Sequence, residues 1–126
     1  MAVVLIIEDR EPVRMLAEWC FQEHGHQTLS ASTVDEALAV LDGAQHIDVL
    51  VTDIGLKADI CAGLDLAKQA VERRPGLKVL YTTGQDVTHA MRTLFVENSA
   101  LLPKPYTFEQ VQTSLSVNFG ITSKTR

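Results

Sequence analysis

Chemically competent polar residues follow four apolar segments of this 126-residue sequence. In chain order these residues are Glu8 and Asp9, Asp53, Thr83, and Lys104. If the apolar segments are strands of an open parallel sheet, each of these side chains stands at the carboxyl end of a strand, the edge at which such sheets bind ligands. If the first, third and fourth strands are neighbours, the side chains converge on one pocket.

Three carboxylates in one pocket repel each other and raise one another's pKa values, so the arrangement is stable only around a cation. Hard oxygen ligands favour Mg²⁺, which keeps several waters and leaves room for a phosphoryl group. A carboxylate can also act as a nucleophile and form an aspartyl phosphate. The metal and a lysine would then offset the charge of the transferring phosphoryl group, and the hydroxyl of Thr83 would donate a hydrogen bond to it.

The elements that must position this pocket alternate between strand and helix. The predicted strands cover residues 3–7, 27–31, 49–52, 78–82 and 100–102. The predicted helices cover residues 12–23, 33–41, 64–74, 86–97 and 107–118. Continuous apolar, β-branched runs are typical of strands buried on both faces. The alternation therefore predicts an α/β fold with a five-stranded parallel sheet and helices on both faces.

Local signals predict where the helices begin and which side they bury. Pro12 suits a first helical turn, and Asp86 is the predicted N-cap of the fourth helix. Capping boxes are predicted for Thr33 with Glu36 and for Thr107 with Gln110. The predicted buried face of the first helix carries Val13, Leu16, Ala17 and Cys20.

Four further residues lie in or just after the first helix. Met15 and Trp19 fall off its predicted buried face, so they are either partly buried in the core or exposed anchors for a partner helix. His24 and His26 flank Gly25 but lack a third ligand for a metal, so we predict a frayed helix end there.

Composition narrows the class of protein. The net charge of −5 argues against a nucleic-acid-binding surface, which needs clustered Lys and Arg. Cys20 and Cys61 are far apart and form no CxxC, which fits a reducing cytoplasm better than a disulfide or a zinc site. The apolar run at residues 2–7 is too short to span a membrane. We therefore predict a single cytoplasmic domain with neither a nucleic-acid nor a membrane partner.

In their order and spacing these residues resemble the motifs of response-regulator receiver domains, and in particular the stand-alone chemotaxis type. The matching motifs are Glu8-Asp9, Asp53 within Val51-Thr-Asp-Ile54, Thr83-Gly84 and Lys104-Pro105. The resemblance covers nearly the whole chain and implies a receiver domain at residues 1–119 with a short polar tail at 120–126. It also implies a doubly wound, flavodoxin-like sheet with strand order 2-1-3-4-5.

The resemblance implies a role for each motif. Asp53 would accept a phosphoryl group from the phosphohistidine of a sensor histidine kinase or a histidine phosphotransfer protein. Thr83 and Lys104 would contact the phosphoryl oxygens, and the Lys104–Pro105 peptide bond would be cis. The implied Mg²⁺ ligands are Asp9, Asp53 and the backbone carbonyl of Gly55, with Glu8 acting through water.

Some positions depart from the family pattern. The loop after Asp53 reaches its glycine two residues late, at Gly63, and carries Lys57 near the place of the usual proline. Leu101 occupies a position that is often a rotating aromatic residue, with Tyr81 and Tyr106 as candidate substitutes. Gly55 and Gln85 occupy positions that tune the phosphoryl lifetime.

The sequence thus predicts a single-domain response regulator rather than an independent enzyme, one that assists its own phosphorylation and dephosphorylation. We expect no second domain after residue 118, so output should come from altered binding to an unidentified protein target. Two alternatives stay open: a receiver cut from a hybrid histidine kinase or larger regulator, and a binding module that acts without phosphorylation.

The sequence lacks the motifs of other proteins that bind nucleotides or phosphate at the end of a strand. The loop after the first strand reads Glu-Asp-Arg-Glu-Pro, with neither the G-x-G-x-x-G of a dinucleotide site nor the G-x-x-x-x-G-K-[ST] of a P-loop. A flavodoxin would cradle phosphate there with Ser or Thr. A haloacid-dehalogenase-type phosphatase would carry a second acid where this chain has Gly55.

Overall fold

The computed structural model describes residues 1–56, 59 and 61–123. Lys57 and the last three residues of the predicted tail lie outside the described residues. The strands are β1 (Val3–Ile7), β2 (Gln27–Ala31), β3 (Val49–Asp53), β4 (Lys78–Thr83) and β5 (Ser99–Pro103). The helices are α1 (Glu11–Glu23), α2 (Val34–Asp42), α3 (Ala62–Arg73), α4 (His89–Arg92) and α5 (Phe108–Phe119).

The five strands form one parallel sheet in the order β2-β1-β3-β4-β5. The predicted fold class and strand order are therefore confirmed. β1 is buried along its whole length and β3 up to its last residue, as expected for apolar strands covered on both faces.

Alternate residues of each central strand enter two separate cores. Leu5 and Ile7 point into a core formed with α2, α3 and α4, whereas Val4 and Ile6 point into a core formed with α1 and α5. This division follows from the two-residue period of side-chain direction in a strand. Helices thus cover both faces of the sheet, as predicted.

The buried face of α1 differs from the predicted one. Ala17, Cys20 and Phe21 are buried, whereas Leu16 is 59% exposed. Successive helical residues are about 100° apart, so on a face centred on Ala17 and flanked by Cys20 and Phe21, Leu16 lies about 100° from the centre and is turned toward solvent. The prediction that Leu16 belongs to the core was wrong.

The fourth helix is much shorter than predicted and has a different N-cap. Thr88, not Asp86, accepts the capping hydrogen bond, from the backbone N–H of Met91. The N–H groups of Leu94 and Phe95 donate to carbonyls three residues back. The next N–H, that of Val96, donates to the hydroxyl of Tyr81 and so cannot continue the helix.

The other caps follow the sequence more closely. The capping box of Thr107 and Gln110 is present at α5. At α2 the Thr33 hydroxyl accepts from the N–H of Glu36, while the Glu36 carboxylate accepts from the N–H and hydroxyl of Ser32. α3 begins two residues before the predicted Leu64.

The turn after α1 is not a frayed end, which corrects the prediction for both histidines. His24 is buried and stacks on Phe108 with ring centroids 4.0 Å apart. His26 is buried and accepts the N–H of Ala2 at Nδ1, while its Nε2 lies 2.7 Å from Oε1 of Gln112. Both side chains pack the turn against α5.

Across the described part of the chain, no helix has the length and apolar character needed to cross a membrane.

Candidate functional site

One cavity of about 310 Å³ opens at the carboxyl ends of β1, β3 and β4. All six residues singled out in the sequence line it: Glu8, Asp9, Asp53, Gly55, Thr83 and Lys104. The parallel sheet brings them together because strand ends of the same polarity share one edge. Residues more than 90 positions apart therefore share one site.

The neighbouring strand order sets the geometry of this edge. Asp53 pairs with Thr82 across β3 and β4, and the N–H of Ile54 donates to the carbonyl of Thr82 at 2.9 Å. The N–H of Lys104 donates to the carbonyl of Thr83 at 2.8 Å. These backbone hydrogen bonds place Lys104, which directly follows β5, beside the end of β3.

Lys104 joins two of the carboxylates directly. Its Nζ lies 2.8 Å from Oδ2 of Asp53 and 3.0 Å from Oε2 of Glu8. Burial by itself lowers the pKa of Lys104, but hydrogen bonds and attraction from Asp53 and Glu8 outweigh it, so the pKa is raised. The ammonium group thus stays charged at neutral pH and offsets negative charge in the cavity.

Glu8 is almost fully buried, with 4% of its surface exposed. Its carboxylate accepts from Lys104 and, at 3.3 Å, from the N–H of Arg10. Its backbone N–H donates to Ala31, and its carbonyl accepts from Arg14. A buried carboxylate needs such partners because an unpaired buried charge is costly.

Thr83 lines the cavity at the end of β4. Its Oγ1 accepts from the N–H of Gln85 at 3.1 Å. The same hydroxyl donates to the carbonyl of Gln85 in a long contact of 3.5 Å, and rotation about the C–O bond can redirect its hydrogen to an acceptor in the cavity. A β-carbon built on Gly84 meets nothing within 4 Å, so this wall is open.

The donor set fits Mg²⁺ with few protein ligands. In the described residues no group of three His, Cys, Asp or Glu is arranged to hold a metal. The Lys104 ammonium lies between the carboxylates of Glu8 and Asp53. Mg²⁺ usually takes one or two carboxylates and keeps several waters. Asp9, Asp53 and the Gly55 carbonyl, which belong to the same cavity lining, meet that requirement.

Two residues of the cavity rim, Asp59 and Met91, were not predicted from the sequence. Asp59 and Met91 arrive from the loop after β3 and from α4, and no local pattern marks them.

The two candidate substitutes for an aromatic residue at position 101 have different surroundings. Tyr81 is completely buried, pairs with Leu101 across β4 and β5, and stacks on Phe95 with centroids 4.3 Å apart. Burial raises its pKa, although the hydrogen bond from Val96 opposes this. Tyr106 is half-buried and packs against the α1–α5 core.

An apolar groove of about 420 Å³ adjoins the cavity. The two share Arg10, Gly84 and Lys104. The remaining walls of the groove come from Val13, Leu16, Pro105 and Tyr106. On the same helix Met15 and Trp19 are 57% and 51% exposed, so they are not core residues.

Comparison with known proteins assigns the chain to a family. The Response regulator receiver domain profile matches residues 4–116. The chain therefore belongs to this family and is a receiver domain of two-component signalling. It is 26% identical over 116 residues to the sensor kinase CckA of Brucella abortus (strain 2308). That match covers 90% of this chain but only 12% of the kinase.

Solved structures share the fold. A receiver domain protein from Clostridium thermocellum is 22% identical with a TM-score of 0.78, covering 95% of each chain. A receiver protein from Sinorhizobium medicae WSM419 is 24% identical with a TM-score of 0.82, covering 94% of each chain. The receiver domain of the hybrid histidine kinase CckA is 23% identical with a TM-score of 0.75, covering 92% of this chain and 97% of that one.

Proposed function

We propose that this receiver domain, placed at residues 1–119, takes a phosphoryl group on Asp53 in a Mg²⁺-dependent reaction and signals by altered protein binding. The observation that carries the proposal is the contact of Lys104 with Asp53 and Glu8 inside an acidic cavity that also contains Asp9 and Thr83. A partly buried cation next to one carboxylate oxygen of Asp53 is suited to a group that gains negative charge there.

In this step a phosphoryl group passes from a histidine nitrogen of the donor to a carboxylate oxygen of Asp53. A carboxylate oxygen of Asp53 attacks the phosphorus of a phosphohistidine and forms an O–P bond. The N–P bond of the donor breaks, and its electron pair stays on the imidazole nitrogen. Lys104 offsets the charge of the phosphoryl oxygens, and the Thr83 hydroxyl donates a hydrogen bond to one of them.

Mg²⁺ would be held by Asp9, Asp53 and the carbonyl of Gly55, with Glu8 acting through water. When bound it supplies charge neutralisation for the phosphoryl oxygens. Glu8 already hydrogen-bonds Lys104, so its role in the chain's own geometry is to hold the ammonium beside Asp53.

We further propose that the apolar groove receives the helix of the protein that carries the phosphohistidine, a sensor kinase or a histidine phosphotransfer protein. The groove shares Arg10, Gly84 and Lys104 with the cavity, so a partner helix seated there has its histidine next to Asp53. The exposed side chains of Met15, Leu16 and Trp19 on α1 offer the apolar contact that such a helix needs.

The decisive experiment measures the intact mass of the protein after incubation with acetyl phosphate, with and without Mg²⁺. The wild-type protein should gain one phosphoryl group only with Mg²⁺, and Asp53→Asn should gain none. Asp59→Asn is the matched control, since Asp59 also lines the cavity but is not the proposed acceptor.

A phosphorylated Asp53→Asn protein would refute the acceptor assignment. If neither acetyl phosphate nor a set of phosphorylated histidine phosphotransfer proteins loads the wild-type chain, the chain is a binding module that acts without phosphorylation.

A second candidate is that the chain is the receiver part of a larger kinase, which the similarity to the sensor kinase CckA favours. The codon that follows Arg126 in the natural gene separates the two: a stop codon supports a single-domain regulator, and further coding sequence supports a hybrid protein.

A further inference from the structure

Gly63 packs directly against the backbone that carries Asp53. It is the second residue of α3 and is buried. A β-carbon built on Gly63 would overlap the carbonyl oxygen of Asp53 and lie 2.7 Å from both its carbonyl carbon and the carbonyl oxygen of Ile54. All three atoms belong to backbone and cannot turn aside as a side chain can.

The same residue also holds this backbone by a hydrogen bond. The N–H of Gly63 donates to the carbonyl of Ile54 at 2.7 Å, while the N–H of Ile54 donates to Thr82 of β4 at 2.9 Å. The short segment 53–55 is therefore bonded to α3 on one side and to β4 on the other. This segment carries the Asp53 carboxylate and the Gly55 carbonyl.

Gly63 itself is not among the residues that line the cavity. Its contacts are with main-chain atoms behind the cavity wall, so it cannot touch a phosphoryl group or a metal there. We propose that Gly63 is a positioning residue, which sets the distance of Asp53 and Gly55 from Lys104 by letting α3 approach the acceptor backbone. This inference rests on the proposed function of Asp53.

Other glycines of the chain offer a contrast. A β-carbon on Gly76 meets nothing within 4 Å, and one on Gly43 comes no closer than 3.3 Å to a neighbouring carbonyl oxygen. Both lie outside the cavity lining. Gly76→Ala is therefore a matched control, because it makes the same glycine-to-alanine change at a position where the added β-carbon meets no other atom.

The test compares Gly63→Ala with the wild-type protein, Gly76→Ala and Val71→Ala. Val71 lies on α3 and packs against the same core, so its truncation lowers stability without touching residues 53–55. The measurements are the rate of phosphorylation by acetyl phosphate and the Mg²⁺ affinity, both well below the denaturation midpoint of every variant.

We expect Gly63→Ala to slow phosphorylation about 10- to 100-fold, because small displacements of reacting groups have effects of that order. Its Mg²⁺ affinity should fall about 10-fold, as when outer groups that orient ligands are lost. Gly76→Ala and Val71→Ala should keep wild-type values of both. Equal loss in Val71→Ala would overturn the positioning role, because it would trace the effect to stability alone.

A measurement on the wild-type chain decides the matter if Gly63→Ala does not fold. In ¹⁵N-glycine NMR spectra, Mg²⁺ should shift the amide signals of Gly55 and Gly63 together and leave those of Gly43 and Gly76 in place. An unmoved Gly63 signal would refute the inference. If the wild-type protein gains no phosphoryl group, the proposed function is refuted. If the wild-type protein gains one and Gly63→Ala is phosphorylated at the same rate, only the positioning role is refuted.

Discussion

Lys104 compensates the charge of the cavity through two short contacts. Asp53 and Glu8 bind it from β3 and β1, while its own backbone is bonded to β4. Truncating one member of such a buried set leaves the others unpaired, which costs more than the contact itself contributes. Each member of this set therefore depends on the others for a hydrogen-bond partner.

Replacing Asp9 should weaken metal binding while leaving the fold intact. Asp9→Ala should lower the Mg²⁺ affinity by about 10- to 100-fold or more, because a proposed direct ligand is lost and outer-sphere losses alone reach that range. Isothermal titration calorimetry measures the affinity. Glu11→Ala is the control, since Glu11 is an exposed acid just beyond the cavity. An unchanged titration for Asp9→Ala would place the metal elsewhere.

Tyr81 holds a backbone group that the shortened α4 leaves without a helical partner. Tyr81→Phe should lower the free energy of unfolding by about 1–3 kcal/mol, because the partly buried N–H of Val96 loses its acceptor. Urea denaturation measures the loss, and amide exchange at Val96 should quicken. Tyr106→Phe removes a hydroxyl from the half-buried groove tyrosine and serves for comparison; an equal loss there would contradict the explanation.

At the scale of elements, His26 joins the start of β2 to α5 and to the chain end. Ala2 donates to Nδ1, so the ring proton lies on Nε2 and is given to Gln112 of α5. The side-chain amide of Gln112 in turn donates to the carbonyl of Ile121 beyond α5. The neutral ring is therefore the form that fits both partners.

This arrangement predicts a pH dependence of stability. Burial, the terminal amine and His24 lower the pKa of His26 despite its hydrogen bond to Gln112. The unfolded chain then binds a proton more readily than the folded one, so stability falls as pH drops below about 6.5, by up to about 1.4 kcal/mol per pH unit.

Chemical denaturation between pH 7.5 and 5.5 measures this slope. His26→Gln should flatten it, whereas the same change at His89, an exposed residue of α4, should leave it at the wild-type value. A slope that persists in His26→Gln would assign the proton to another group.

At the scale of the whole molecule, the cavity and the apolar groove form one continuous face. α1 supplies exposed apolar side chains next to the rim, while Phe108 of α5 packs under Trp19 with ring centroids 5.4 Å apart. Under the proposed function, small phosphodonors need only the cavity, whereas a protein donor must also cover the groove. Specificity for a partner and the acceptor chemistry are therefore separable.

Trp19→Ala tests this separation. It should slow transfer from a phosphorylated histidine phosphotransfer protein by about 10-fold or more, as for loss of an exposed aromatic anchor on the helix that lines the groove, and leave transfer from acetyl phosphate unchanged. Transfer of ³²P measures both rates. Val117→Ala removes an exposed apolar side chain of α5 and should change neither rate. An equal slowing with both donors in Trp19→Ala would indicate loss of packing instead.

The amino-acid sequence alone determined the alternation of strands and helices and the residues that end the strands. These features depend on local patterns: buried parallel strands read as apolar runs, and polar side chains directly after them must stand at one edge. The family resemblance added the strand order and the acceptor assignment. Thus the six predicted cavity residues were all found together.

Only the tertiary structure decided which surfaces meet. The burial of His24 and His26 and the end of α4 at Arg92 each depend on a contact with a distant element. The exposure of Leu16 depends on which face of α1 packs against the sheet. The close approach of Gly63 to Asp53 likewise joins α3 to β3 through backbone atoms, which no periodicity records. Local pattern specifies where an element lies along the chain, whereas packing specifies what its surface touches.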